Sequence, residues 1–330
     1  MAQEVKYGVI SDVHEDPKIV PTAIKILKKI GIEKLLVNGD IGNRQKTLQD
    51  SQNYIAFILD SIGKSGLEAF VQPGSHETLL SYGPIIGYFS GKYPNIVDTI
   101  KNPKVEQRGH QLVFLPGSDF LCGGEYQIGN HEKIPSGRYI QTEKGLVQFE
   151  EFEQYFKALK KGITNSAMQY SNMNDLRTLV SDPDKTIVVC HVPRKFDNVE
   201  TCVDVAEFGE VIEDFYLNRE KIKKGSIFPL PITQKIIQIG APIKIKRENR
   251  GNKDLQALYE ELGILKAVSG HFHESGHRAN DKDGNHVSEG KLVTELFWNS
   301  GHLDIGQTGI FTVGDGKVSY RNIQLQDYLK

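Results

Sequence analysis

Five short segments, each closing an apolar run of β type, constrain this chain more than any other feature. They are Ser11-Asp12-Val13-His14, Asn38-Gly39-Asp40, Pro73-Gly74-Ser75-His76-Glu77, Val189-Cys190-His191 and Gly270-His271-Phe272-His273. Side chains on a strand alternate faces, so the one-residue gaps in Asp12-x-His14 and His271-x-His273 predict that each pair points one way, toward a single metal ion. Carboxylate and imidazole without thiolate suit manganese, iron or zinc in a hydrolytic centre and argue against structural zinc. In open α/β sheets ligands gather at the carboxyl ends of the strands, where these residues lie.

The rest of the chain alternates in the βαβ manner. Strand Val5 to Ile10, helix Ile19 to Ile30, strand Lys34 to Val37, helix Thr47 to Ile62 and strand Ala69 to Gln72 form a first half. Strand Leu112 to Leu115, helices Glu150 to Lys161 and Met173 to Val180, strand Thr186 to Cys190, helix Leu255 to Leu262 and strand Ile264 to Val268 form a second. The tail, Val293 to Phe297, Ile310 to Val313 and Val318 to Ile323, reads as antiparallel strands with a turn at Gly314-Asp315-Gly316. No internal repeat or low-complexity tract interrupts this order.

In their order the five segments resemble the signature of the calcineurin-like metallophosphoesterases: Asp-x-His, Gly-Asp, Gly-Asn-His-Asp/Glu, a lone His after a strand, and Gly-His-x-His. Each alone is weak, and five in order with strand context are specific. The resemblance implies an α/β fold, a two-sheet β-sandwich flanked by helices, filled by a single domain over 1-330. An inserted cap or flap lies at about 194-262 and C-terminal strands at about 292-323. It also implies two divalent metal ions, manganese first, with iron, zinc or nickel as alternatives. Asp12, His14 and His273 would hold one, His191 and His271 the other, and Asp40 would bridge them. The implied reaction is hydrolysis of a phosphoester, a small nucleotide-like phosphodiester favoured, by a metal-bridging hydroxide. His76 would assist the leaving group, and Arg44 would clamp phosphate with its planar fork.

Two positions depart from the family pattern. Ser75 stands where the family has an asparagine ligand, and a serine hydroxyl is a shorter, poorer donor, which implies a weaker second metal site. Asn43 stands where some members carry an aspartate that orients the motif histidine. Taken singly, Asp12 and Asp40 also read as helix N-caps and His191 as a hydrogen-bonded core residue. His110, His131, His277, His286 and His302 read as exposed loop residues. His302 differs in that Trp298-Asn299-Ser300-Gly301-His302 resembles the asparagine-rich turn closing the family's sheet, though a direct role is not expected of it.

The stretch from His191 to Gly270 is longer than a strand connection needs, as substrate loops and lids are. Within it Asp204 to Phe215 reads as an amphipathic helix with Val205, Phe208, Ile212 and Phe215 on one face. From Arg219 to Lys253 ten lysines and arginines face only Glu220 and Glu248. That stretch reads either as a basic flap drawing in anions or as a solvated hairpin around Ile236 to Ile245. The flap makes nucleic acid an alternative partner to a small phosphoester, although Phe228 is its only aromatic. A nuclease, or a scaffold keeping the fold without the chemistry, are the competing readings.

A formal net charge of -2 argues against a globally basic nucleic-acid binder. Cys122, Cys190 and Cys202 show no metal spacing and fit reduced thiols. The first residues carry no basic leader or apolar core, and no stretch is long enough to span a membrane, so a cytoplasmic protein is expected. The oligomeric state is left open.

Overall fold

The structure is a computed structural model that describes residues 4–119 and 124–329. Two six-stranded sheets lie face to face. The first runs in the order β21 (Lys317–Gln324), β20 (Gln307–Gly314), β1 (Val5–Ile10), β2 (Lys34–Asn38), β3 (Glu68–Gln72) and β4 (Ile96–Asp98). Strands β1 to β4 are parallel, and β20 joins antiparallel to β1. The second runs β18 (Ala279–Asn280), β19 (Leu296–Asn299), β17 (Lys266–Ser269), β11 (Thr186–Cys190), β6 (His110–Leu115) and β5 (Lys104–Gln107), its four inner strands parallel.

Because parallel strands are buried on both faces, their sequences are nearly continuous apolar runs, which makes them legible in the sequence. Tyr7, Val9, Leu36 and Phe70 of the first sheet meet Leu112, Phe114, Val189 and Trp298 of the second in the central core. Helices α1 (Ile19–Ile30), α2 (Leu48–Ser65) and α3 (Leu79–Lys92) cover the outer face of the first sheet. Helices α5 (Leu176–Leu179) and α7 (Lys253–Leu262) cover the second. Local signals set the ends: Thr47 caps α2 by accepting a hydrogen bond from Asp50 N at 3.1 Å, and Gly31 closes α1 at φ +97°. Strands β20 and β21 turn at Asp315 and Gly316, both at positive φ, as the tail's glycines predict.

A four-stranded sheet lies to one side, in the order β7 (Tyr126–Gly129), β10 (Ala167–Asn172), β8 (Gly137–Thr142) and β9 (Gly145–Phe149), followed in sequence after β9 by α4 (Phe152–Lys160). The stretch between β11 and β17, called the insert below, forms a three-stranded sheet, β15 (Ile227–Pro229), β12 (Val205–Val211) and β16 (Ile243–Asn249), with α6 (Leu230–Gln238) against it. A hairpin, β13 (Phe215–Leu217) and β14 (Glu220–Ile222), projects from it.

Four expectations are corrected here. Asp204 to Phe215 is not a helix: its centre is β12, paired on both sides, and those ladders outweigh a 3.6-residue pattern four residues deep. Ile236 to Ile245 is not a hairpin, since the stretch divides between the end of α6 and the start of β16. The strand expected at Val293 to Phe297 is β19, which joins the second sheet parallel to β17, and only Val293 bridges to Val318. His110 is also no loop residue. It is buried on β6, with Nε2 2.7 Å from the Tyr7 hydroxyl across the sandwich. Cys122 lies outside the described residues, and Cys190 and Cys202 are buried free thiols. Among the described residues no helix is long and apolar enough to cross a membrane.

Candidate metal centre

All five segments leave their strands at one edge of the sandwich. Strand β1 ends at Ile10, β2 at Asn38 and β17 at Ser269, so Asp12, Asp40 and His271 lie just beyond strand ends. Each adopts a left-handed backbone, at φ +58°, +52° and +69°. Side chains other than glycine are strained in this conformation, and such positions concentrate at functional sites. The left-handed turns replace the strand alternation assumed above. His271 and His273 therefore diverge: His271 Nδ1 lies 3.3 Å from His191 Nε2, whereas His273 Nε2 lies 3.2 Å from His14 Nε2.

The side chains thus form two nests that share their carboxylates. Asp40 Oδ2 is 3.0 Å from His191 Nε2 and 4.0 Å from His14 Nε2. Asp12 Oδ1 is 3.3 Å from His273 Nε2, 3.8 Å from His14 Nε2 and 3.9 Å from His191 Nε2. Ligand atoms of His14, Asp40 and His76, and of Asp40, His191 and His271, fall within 4.8 Å of one another. Close approach of the loops depends on two glycines: a Cβ on Gly74 would collide with the Asp40 carboxylate, and one on Gly270 with Ser11 and Asp12.

The charge balance of the cluster fits divalent cations. Asp12 and Asp40 are 1% and 2% exposed, and among the described residues neither pairs with a lysine or arginine. Buried carboxylates need compensating positive charge, and here imidazoles are the side chains beside them that can carry it. In the metal-free protein protons take that place. Against burial, which disfavours a charged ring, Asp40 and Asp12 raise His191 to about 10, and the nearby carboxylates of Asp12 and Asp40 raise His14 to about 9. His271, buried and next to His191, is pushed down to about 3.

Backbone groups fix these rings. His191 Nδ1 lies 2.8 Å from Asn38 O, which makes Nδ1 a donor and leaves Nε2 facing Asp40, to hold a proton in the metal-free protein or a cation once that proton is lost. His76 is exposed, its ring centroid 4.2 Å from that of His14, and its backbone N–H donates to Asp40 Oδ1 at 2.9 Å. Partial desolvation against the cluster and the neighbouring His14 and His191 hold its pKa below the usual imidazole value, while Asp40 opposes them. Ser75 uses its hydroxyl on Asp40 Oδ2, at 2.9 Å, so the position reads as support for the shared carboxylate. Asn43 donates to His14 O at 2.6 Å and so orients the His14 loop, not His76. Arg44 is exposed, with Glu125 as a charged neighbour.

Several supporting residues escaped sequence reasoning. His302 stacks on His273 with centroids 3.8 Å apart and lies 3.2 Å from Asp304. Asp304 in turn accepts N–H bonds from His14, Glu15 and Asp16. Asn299 donates to Gly270 O and Phe272 O, bracing the His271 to His273 loop, and Glu77 accepts from Ile41 N and Gly74 N, joining the Asp40 and Ser75 loops. Burial and the nearby Asp40 push Glu77 up to about 8. Glu77 and Asn299 both sit inside segments that the sequence singles out, and that placement is the available signal. His131 and His286 are exposed, as expected, and His277 is half-buried with Nε2 2.9 Å from Thr308 O.

No curated protein matches the chain in sequence. Solved structures that align with it include TT1561 of Thermus thermophilus, at TM-score 0.47 and 12% identity over 97% of this chain and 99% of that one. A dimetal phosphatase from Danio rerio aligns at TM-score 0.44 and 11% identity over 97% and 99%. GAP50, the anchor in the inner membrane complex of Plasmodium, aligns at 0.46 and 10% over 98% and 85%. The family model described as calcineurin-like phosphoesterase matches residues 5–275. Since that match runs through every strand end contributing to the cluster, the chain belongs to the calcineurin-like phosphoesterase family, whose general reaction is metal-dependent phosphoester hydrolysis.

Proposed function

We propose that this chain is a metal-dependent hydrolase of small phosphoesters, with phosphodiesters favoured over monoesters. One observation carries the reading: two buried carboxylates sit between two histidine nests with no lysine or arginine to balance them among the described residues. Asp12, His14 and His273 would hold one divalent ion, His191 and His271 a second, and Asp40 would serve both. Manganese is the first choice for this oxygen and nitrogen set, with iron, zinc or nickel as alternatives. Such ions supply a water of lowered pKa and positive charge opposite the phosphoryl oxygens.

The chain's own groups do the rest. His76 stands at the exposed side of the cluster, where it can hydrogen-bond a phosphoryl oxygen or pass its proton to the departing alkoxide. As the ester P–O bond breaks, the water oxygen joins phosphorus, and the departing oxygen leaves as an alcohol. Asp40 accepts the N–H groups of Ser75 and His76, which keeps the His76 loop in register with the nests. Arg44 is a phosphate-contact candidate only if its exposed side chain turns inward.

A polynucleotide substrate receives less support. Within the basic stretch Lys221 pairs with Asp214, Lys246 with Glu210 and Arg247 with Glu207, so three of its ten basic side chains are neutralised inside the insert. The direct test is metal content of the purified chain, followed by hydrolysis of chromogenic bis-aryl and mono-aryl phosphates with added manganese. Bound metal and turnover of the bis-aryl ester are expected. Neither metal nor turnover would favour a scaffold that has kept the fold and lost the reaction.

A further inference from the structure

A cleft of about 360 Å³ opens directly beside the cluster, with Ser75, His76 and His271 at its base. Its volume is at the lower end for small-molecule sites. The opposite wall comes from the insert. In β12, Ala206 and Phe208 share a face, and cross-strand pairing places Pro229 on that face beside Phe208 and Ile227 beside Glu210. The other face is covered by α6, where a Cβ on Gly209 would collide with Thr233. Ala206, Phe208, Pro229 and Ile227 therefore line the cleft from the side of the sheet away from α6, where β16 adds Lys246 and Glu248, and Phe272, between the two ligand histidines, lines the same cleft.

The charges at this cleft are unlike those of an anion-binding channel. Asp119, Glu207 and Glu274 line it against a single guanidinium, that of Arg250, which lies 4.9 Å over the Phe208 ring. Glu207 N also donates to Glu274 Oε1 at 3.4 Å, linking the wall to the loop that carries His273. Glu207 pairs with Arg247 and Arg250 is shared with Glu248, so a negative group placed against Phe208, Phe272 and Pro229 would lose hydration with little cationic compensation, and a compact apolar group would not.

Resting on the phosphoesterase reading above, we propose that this cleft binds the organic group esterified to the substrate phosphate. It selects a small group with an apolar face and no negative charge. The inserted sheet is then the specificity element, and the substrate is a small phosphodiester.

The test uses the manganese-loaded full chain and three p-nitrophenyl esters: p-nitrophenyl phosphate, p-nitrophenyl phenyl phosphate, and the same diester with a carboxylate on the phenyl ring. The phenyl diester should exceed the carboxylated one in kcat/KM by about tenfold, the scale of selectivity a hydrophobic pocket provides. Ile227→Asp, at a position 46% exposed and so tolerant of a polar side chain, should lower the ratio of phenyl diester to monoester kcat/KM by about tenfold, chiefly through KM. Equal rates for the two diesters in the unmodified chain overturn the subsite and leave the phosphoesterase reading standing, as does an unchanged ratio in Ile227→Asp. Hydrolysis of a single-stranded oligonucleotide faster than the phenyl diester also overturns the subsite. No turnover of any ester, with metal bound, removes both.

Discussion

The aspartate and histidine loops at the edge of the sandwich and the sheet between β11 and β17 face each other across one cleft, yet they are built in opposite ways. The loops are short, buried and locked: three left-handed non-glycine residues, two glycines without room for a Cβ, and carboxylates that accept backbone N–H groups. The insert is open, with Ile212, Tyr216, Ile227, Ile232, Ile239 and Ile245 all exposed and its lysines largely on its surface. Charge chemistry needs groups fixed to fractions of an ångström, whereas contact with an organic substituent tolerates a looser wall. The comparison teaches where variation is tolerated.

Asp40→Asn should give the largest effect. Removing the charge shared by both nests should abolish metal retention and turnover together, a loss of at least about a thousandfold on the scale of electrostatic catalysis. Elemental analysis with a rate assay checks it, and retained metal would mean that the nests do not depend on the shared carboxylate. His76→Gln comes next. Metal content should stay while kcat falls by about a hundredfold or more, as expected for loss of a proton-transfer group. An unchanged kcat would remove His76 from the reaction.

Metal affinity should itself depend on pH. His191 at about 10 and His14 at about 9 must shed protons before a cation can take their lone pairs, so apparent affinity should rise with pH up to that range. Each released proton contributes about tenfold per pH unit, readable by calorimetric titration in buffers of differing ionisation enthalpy. A pH-independent affinity would show that the rings are already neutral in the metal-free chain.

The smallest effect belongs to the insert. Asp204, buried and accepting the N–H of Phe196, is pushed by desolvation up to about 8, far above the value of about 4 it has in an unfolded chain. Between those values the folded chain holds a proton that the unfolded chain lacks. Stability should therefore fall as pH rises from about 4 to 8 and then level off. Asp204→Asn should flatten that slope in thermal melts at pH 6 and 8 while metal content stays constant. Loss of metal in this variant would show that the two regions are not separable.

The sandwich was legible because parallel strands buried on both faces leave continuous apolar runs, and the cluster because its residues close those runs. Asp12, His14, Asp40, His76, His191, His271 and His273 do come together, and the family match agrees with the resemblance they carried. The insert was misread because Val205, Phe208 and Ile212 satisfy a helical period, and only pairing with β15 and β16 makes the stretch a strand. His302 was undervalued for a similar reason, since its partner His273 is close only in space.

The sequence by itself determined which aspartates and histidines close the buried strands and in which layer they lie, because strand burial and residue type are local properties. Only the tertiary structure decided how those residues divide between two nests, what Ser75, Asn43 and Asp304 hold, and which face of the insert looks at the site. Those outcomes depend on backbone turns beyond the strand ends and on pairings between distant segments, which no local pattern encodes.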